Sequence, residues 1–218
     1  MNEGDFIRID YIGKVSESGE IFDLTKESVA KEMGIFNPEF KYGSVPVILG
    51  AHHVVKGLEN ELMKMEVGKS KKVTVKPEDA LGERKSELIR LIPLSEFKKR
   101  DIDPTPGMSI IESGVRGRVL SVSGGRVRVD SNHPLAGKTL EYDVEIKEMI
   151  TDKRDKIRAI VELFYSSDEK NITIKIIGEI VEIIFNNKEV PQNVKKMIAD
   201  NLKKWVADIK KVKFIEEF

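Results

Sequence analysis

The chain has 218 residues, 40% of them hydrophobic and 34% charged, and its 37 basic and 37 acidic side chains leave no formal net charge. That balance argues against a nucleic-acid or anionic-membrane protein, which carries a basic excess. The absence of cysteine excludes disulfides, thiolate catalysis and cysteine-bound zinc.

His52, His53 and His133 are the only histidines, and none has a partner at helical metal-ligand spacing, so no metal site is expected. The first residues lack both a basic region and an apolar run, and no stretch reaches the ~18 apolar residues of a membrane span. A cytoplasmic setting is the expectation. Abundant Lys, Glu and Ile, with Gln192 as the single glutamine, resemble the composition of heat-adapted proteins.

In chain order, residues 6–13 are strand formers ending at a glycine, and Ser18-Gly19 is a turn before a second extended run. The pair reads as a hairpin. Residues 25–30 suggest a helical turn, followed by a loop around Asn37-Pro38. Residues 46–49 form a short apolar run stopped by Gly50. Leu58, Leu62 and Met65 are spaced as one face of a helix, and residues 72–76 alternate as a half-buried strand.

The texture changes after residue 83. Short strand-like pieces at 88–91, 108–112, 115–122 and 126–129 follow, the last two flanking the turn signal Ser123-Gly124-Gly125. Residues 140–146 return to the alternation of the first strands. This pattern divides the chain into a first domain of 1–83 with 130–150, an insertion at 84–129, and a C-terminal segment at 151–218. In that last segment Ile157, Ile160, Val161 and Phe164 mark a helix. Residues 172–176 and 181–185 alternate as strands, and a second helix carries Val194, Ile198, Leu202, Trp205 and Ile209. Residues 212–215 read as a closing strand.

Several pieces resemble, in order, the FKBP-type peptidyl-prolyl isomerases. They are Tyr11, then Gly19-Glu20-Ile21-Phe22-Asp23, Pro46-Val47-Ile48-Leu49-Gly50 and Val54-Val55-Lys56-Gly57-Leu58-Glu59. Val67-Gly68, Glu78-Asp79-Ala80-Leu81-Gly82 and the closing 132–145 stretch continue the series. The closing stretch is similar to the SlyD-like branch, which carries an insert-in-flap domain where 84–129 lies here, and the extra segment resembles that of long-chain archaeal members. The resemblance implies an α+β class: an FKBP-like antiparallel sheet wrapped on a helix, a small inserted β-rich domain and a C-terminal α+β domain.

It also implies a peptidyl-prolyl cis/trans isomerase (rotamase) with chaperone activity and no cofactor, whose partners are unfolded or proline-containing polypeptides. Rotation about an X–Pro bond faces ~18–20 kcal/mol, and a dry apolar pocket lowers that barrier without nucleophile or metal by favouring the less polar twisted amide. The pocket residues carried over are Tyr11, Phe22, Asp23, Val45, Val54, Val55, Leu58, Leu81 and Tyr142. Two depart from the common pattern: Leu58 replaces a frequent tryptophan, and Leu81 replaces a tyrosine whose hydroxyl commonly meets the substrate carbonyl. An active but modest isomerase is therefore expected.

The insertion is rich in apolar residues for its size, and Leu88, Ile89, Leu91, Ile92, Leu94, Phe97, Met108 and Ile110, with Ile111, are expected to bind unfolded chains. Arg116, Arg118, Arg126 and Arg128 alternate along the expected hairpin, so one face is basic; neutral overall charge favours a solvated face over RNA binding. The C-terminal segment is small and carries Ile180, Ile184, Trp205, Phe214 and Phe218 as surplus apolar surface, from which a homodimer is expected. Two other readings stand beside the isomerase: a catalytically silent FKBP-like binding module, and a ribosome-associated scaffold using the basic hairpin.

Overall fold

The computed structural model describes residues 1–112, 115–165, 171–186 and 189–217. It is a mixed α/β structure with three sheets, and the chain divides into two compact units. One comprises residues 1–14, 21–73 and 141–218, the other residues 15–20 and 74–140.

The first sheet is organised around β1 (Phe6–Val15). Antiparallel neighbours flank one side of it: β2 (Ile21–Leu24) pairs with its second half and β3 (Val45–Ile48) with its first. On the other side lies β9 (Leu140–Ile150), with β4 (Ser70–Val75) beyond it. Two short helices, α1 (Glu27–Glu32) and α2 (Lys56–Leu62), occupy the connections on either side of β3. Helix α2 buries Leu58 and Leu62 as their spacing predicts, whereas Met65, also buried, lies beyond the helix end.

Because side chains alternate along a strand, the two faces of β1 do different work. Phe6 and Arg8 share one face. Phe6 belongs to the same apolar core as Ile48, Ile150 and the buried residues of the C-terminal segment. Arg8 donates to both carboxylate oxygens of Glu162, at 2.7 and 3.4 Å. Tyr11 and Gly13 lie on the opposite face.

The C-terminal segment has α4 (Lys153–Phe164), a hairpin of β10 (Ile172–Ile177) and β11 (Ile180–Asn186), α5 (Gln192–Trp205) and β12 (Lys211–Glu217). Helix α4 begins where Asp152 caps it, its side chain accepting from the N–H groups of Arg154 and Asp155. Strand β12 lies parallel to β11, with α5 as the crossover that a parallel pair requires. Helix α5 stops at Trp205, so Ile209 does not extend its stripe. The chain turns through Asp208 at φ 60° and returns Ile209 to the core from a loop.

In the second unit, β5 (Ile89–Pro93), β6 (Ser109–Glu112), β7 (Val115–Ser123) and β8 (Arg126–Asp130) form an antiparallel sheet in the order β5-β8-β7-β6. The turn between β7 and β8 holds Gly124 and Gly125 at φ 55° and 73°, the left-handed pair that a tight hairpin favours. Helix α3 (Leu94–Lys98), unforeseen in the sequence reading, sets Phe97 into a small core with Ile110, Val119, Val127 and Val129. The two chain segments entering and leaving this sheet are pinned together. The Asn132 side chain bonds both the N–H and the carbonyl of Lys85, at 2.9 Å each, and Arg84 pairs with Asp130.

Among the described residues no helix is long and apolar enough to cross a membrane. A Phe6→Ala substitution is expected to cost about 3–5 kcal/mol, and because Phe6 shares the core of α4 and α5, amide protection should fall around Ile160 and Leu202 as well. Denaturant unfolding and hydrogen exchange measure the two effects; unchanged protection in α4 and α5 would contradict the shared core.

Candidate active site

The face of β1 that carries Tyr11 and Gly13 is completed by its neighbours. Gly13 stands opposite Asp23 on β2, so Tyr11, Gly13 and Asp23 project to the same side of the sheet. The Tyr11 hydroxyl donates to Asp23 Oδ2 at 2.5 Å. Tyr142 on β9 meets Tyr11 edge-on at 6.1 Å and Phe22 at 5.7 Å, close to perpendicular in the second case. These are the separations aromatic rings prefer.

Gly13 makes this packing possible. A Cβ built there would stand 2.7 Å from the Phe22 ring and 3.2 Å from that of Tyr142, so only glycine admits both rings. Thr25, buried and unforeseen as a site residue, fixes the strand beneath: its hydroxyl accepts the Tyr11 N–H at 2.9 Å, and its own N–H reaches the Tyr11 carbonyl at 3.0 Å. Asp10 accepts from the hydroxyls of both Thr25 and Ser44.

Val45 sits at the end of β3 opposite Ile9, and so on the Tyr11 side of the sheet. Val54 and Val55 are half-buried at the entrance to α2, and Leu58, 1% exposed, lies inside it. Leu81 belongs to the second unit, where it is 40% exposed after the short 3-10 turn Pro77–Asp79. The aromatic cluster thus gathers four of the expected residues by direct contact: Tyr11, Phe22, Asp23 and Tyr142.

The segment leading into α2 is held by Glu59, the last residue of the Val54-Val55-Lys56-Gly57-Leu58-Glu59 motif, whose role sequence alone leaves unassigned. Its carboxylate is buried, 3% exposed as a residue, and accepts the N–H groups of Gly50 and His52 at 2.9 and 3.2 Å and lies 3.1 Å from the His52 ring Nδ1. A buried carboxylate is costly unless bonded, so these donors are obligatory. They hold His52 at φ 57° and thereby shape the loop that presents Val54 and Val55. The available signal was an acid in the first turn of the helix, next to the buried Leu58, where the helix dipole favours it. His53 has its pKa lowered by burial, which favours the neutral ring.

The electrostatics of the cluster are those of a neutral donor next to a carboxylate. Burial, then the hydrogen bond to Asp23, push the Tyr11 hydroxyl far above the ordinary tyrosine range. Burial and the Asp23 charge push Tyr142 up to about 12. Both phenols therefore stay protonated at physiological pH. A hollow elsewhere on the same unit is lined mostly by charged and polar groups, Arg8, Glu148, Thr151, Asp152, Asp155 and Arg158, with Met149 and Ile150 as its apolar members, and so is far more polar than the aromatic cluster.

In the insertion, Phe97 and Ile110 are buried in the small core, with Ile92 and Leu94 packed against it. Leu88 and Ile89 are half-buried, and Leu91, Met108 and Ile111 are exposed.

The raised tyrosine pKa has a defined linkage sign. A phenol held neutral in the fold contributes stability that is complete below its unfolded value of 10.0 and lost as pH rises through about 12. Denaturation midpoints should fall across that window, and Tyr142→Phe should flatten the fall; an identical alkaline profile in the variant would contradict the assignment.

Residues 90–135 match the family described as FKBP26, IF domain. A short-type peptidyl-prolyl cis-trans isomerase from Methanocaldococcus jannaschii is 36% identical over 149 residues, which cover 68% of this chain and 94% of the relative. FKBP-type isomerases named SlyD from Aeromonas hydrophila and Helicobacter pylori are 34% and 30% identical, over 61% and 45% of this chain. The chain spans just over half of each, 57% and 55%. The ordered motifs on β1, β2, β3 and α2, and the near-complete coverage of the archaeal relative, place this chain in the FKBP-type peptidyl-prolyl cis-trans isomerase family.

Proposed function

We propose that the protein accelerates rotation about X–Pro bonds at the Tyr11–Asp23–Tyr142 cluster and holds unfolded polypeptides on its inserted sheet. The observation that carries the catalytic part is the 2.5 Å hydrogen bond from Tyr11 to Asp23 within a ring of aromatic side chains. It sets one oriented carboxylate in apolar surroundings. A planar amide loses conjugation and polarity as it twists, so apolar walls from Phe22, Val45, Val54, Val55, Leu58 and Tyr142 favour the twisted form. No covalent step is needed, and a pre-oriented polar group steers the substrate backbone at no reorganisation cost.

A catalytically silent binding module is the second reading. It is favoured by Leu81, a side chain without the hydroxyl that family members commonly present to substrate; one neutral hydrogen bond is worth roughly 0.5–1.5 kcal/mol. A proline-containing tetrapeptide assay decides between the two. Isomerisation above background is expected, with Asp23→Ala lowering the rate about tenfold, equivalent to about 1.4 kcal/mol. No rate above background from folded protein would remove the enzymatic reading, and an unchanged Asp23→Ala rate would remove the site.

Deleting residues 85–128 should leave tetrapeptide isomerisation in place and weaken aggregation suppression and protein refolding. The Asn132 bonds to Lys85 bring the two ends of that segment together, so a short linker closes the gap. Equal loss of both activities would refute the division of labour.

In the same reading the C-terminal segment pairs two copies. Ile184 is buried, and Trp205 and Phe214 pack against the segment's own core, so the exposed apolar side chains left for a second copy include Ile177 and Met197. Phe218 lies outside the described residues. Sedimentation should show a dimer at micromolar concentration; a monomer there would overturn this part.

A further inference from the structure

The net charge of zero hides a strong asymmetry. Residues 84–129 carry ten basic and five acidic side chains, a net +5, which leaves −5 on the remainder of the chain. Within the inserted sheet four of the five strand arginines are sorted onto one face, while Arg90, opposite Val129, lies on the other. Along β8, Val127 and Val129 are buried while Arg126 and Arg128 are exposed; along β7, Val119 is buried while Arg116 and Arg118 are exposed.

The strand register adds apolar groups to that same face. Leu91 stands directly opposite Arg128, and Ile111 directly opposite Arg116, and paired residues project to one side of a sheet. Leu91 is 62% and Ile111 66% exposed. Asp130, the acid facing Arg118 across the ladder, is already engaged by Arg84 and by the Asn132 side chain. Among the described residues none of the four arginines is in an ion pair, so the face carries uncompensated guanidinium groups between exposed aliphatic side chains.

We propose that this face binds extended polypeptide segments that carry Asp or Glu at successive same-side positions, two residues apart, with aliphatic residues beside them on that same side. The inference rests on the holding role proposed above and names the class of client it selects. Arg126 and Arg128 are two residues apart on one strand, about 6.8 Å, which is also the repeat of same-side residues in an extended peptide. Acidic side chains at every second position therefore meet successive guanidinium groups, which suit carboxylates in bidentate geometry. Nucleic acid fits less well: Phe97 is the one aromatic residue of the insertion and is buried, so the face offers bases no stacking platform.

The test uses the full chain and fluorescence anisotropy with three labelled probes: an unstructured twelve-residue peptide whose odd positions carry pairs of Asp or Glu between Leu, Ile or Val and whose even positions are Ser or Thr, its Asn/Gln counterpart, and a twelve-nucleotide oligo-dU. The acidic peptide should bind at least tenfold more tightly than its amide counterpart and lose roughly tenfold in affinity between low and moderately high salt. An Arg126→Ser/Arg128→Ser variant should bind it about tenfold more weakly, while Arg126→Lys/Arg128→Lys retains part of the affinity and controls for folding. Equal binding of the amide peptide, preference for the oligonucleotide, or indifference to the double serine substitution would overturn the proposal. Aggregation suppression separates the two levels. A wild-type chain that suppresses no aggregation removes the holding role itself. A serine variant that protects an acid-rich client as well as the wild type removes only the acidic selectivity.

Discussion

Strand β1 has to satisfy two different neighbours with its two faces, and the rest of the first unit follows from that constraint. It pairs with β2 and β3 on one edge and with β9 on the other. Neither edge is left to slip, and a shift of one residue would exchange the faces entirely. In the observed register Phe6 and Arg8 reach the C-terminal segment, and Tyr11 and Gly13 reach the aromatic cluster. The same pairing thus gathers the residues of the proposed site and anchors an extra segment far along the chain.

Two polar groups near the site, Glu59 and Tyr11, are held by specific hydrogen bonds. Glu59 is buried against two backbone N–H donors and the His52 ring, and the Tyr11 hydroxyl donates a hydrogen bond to Asp23 while staying neutral. Among the described residues no buried side-chain nitrogen or oxygen lacks a hydrogen-bond partner. In a low-dielectric surrounding this matters twice. An unpaired group would be costly, and a paired one is already oriented before substrate arrives. The site is organised by hydrogen bonds to backbone at its margin and by ring packing at its centre.

The inserted sheet follows a different plan. Its core is five buried side chains with a few half-buried neighbours, small enough that the pinning at Lys85 and Asn132 carries weight in defining it. A sheet with so thin a core spends one face on folding and leaves the other open. Here the open face collects Arg116, Arg118, Arg126 and Arg128, and the strand period of two keeps these four clear of the valines beneath.

Alternation and spacing alone marked the β-rich opening, the helix carrying Leu58 and Leu62, the turn at Gly124-Gly125 and the basic hairpin, because these depend on local periods of two and 3.6 and on turn chemistry. Residues near one another in sequence report on one another. The motif order from Tyr11 to Tyr142 was likewise legible, as a resemblance. What tertiary structure decided were the contacts between distant residues. They include the need for glycine at position 13 under the Phe22 and Tyr142 rings, the bonds of Glu59 to a loop behind it, the parallel pairing of β12, and the union of Phe6 with the C-terminal core. Helix α3 and the true end of α5 escaped for the same reason: Phe97 and Ile209 are buried by what packs on them, and no local period encodes that. Sequence determined which faces were apolar; the fold decided what each face would meet.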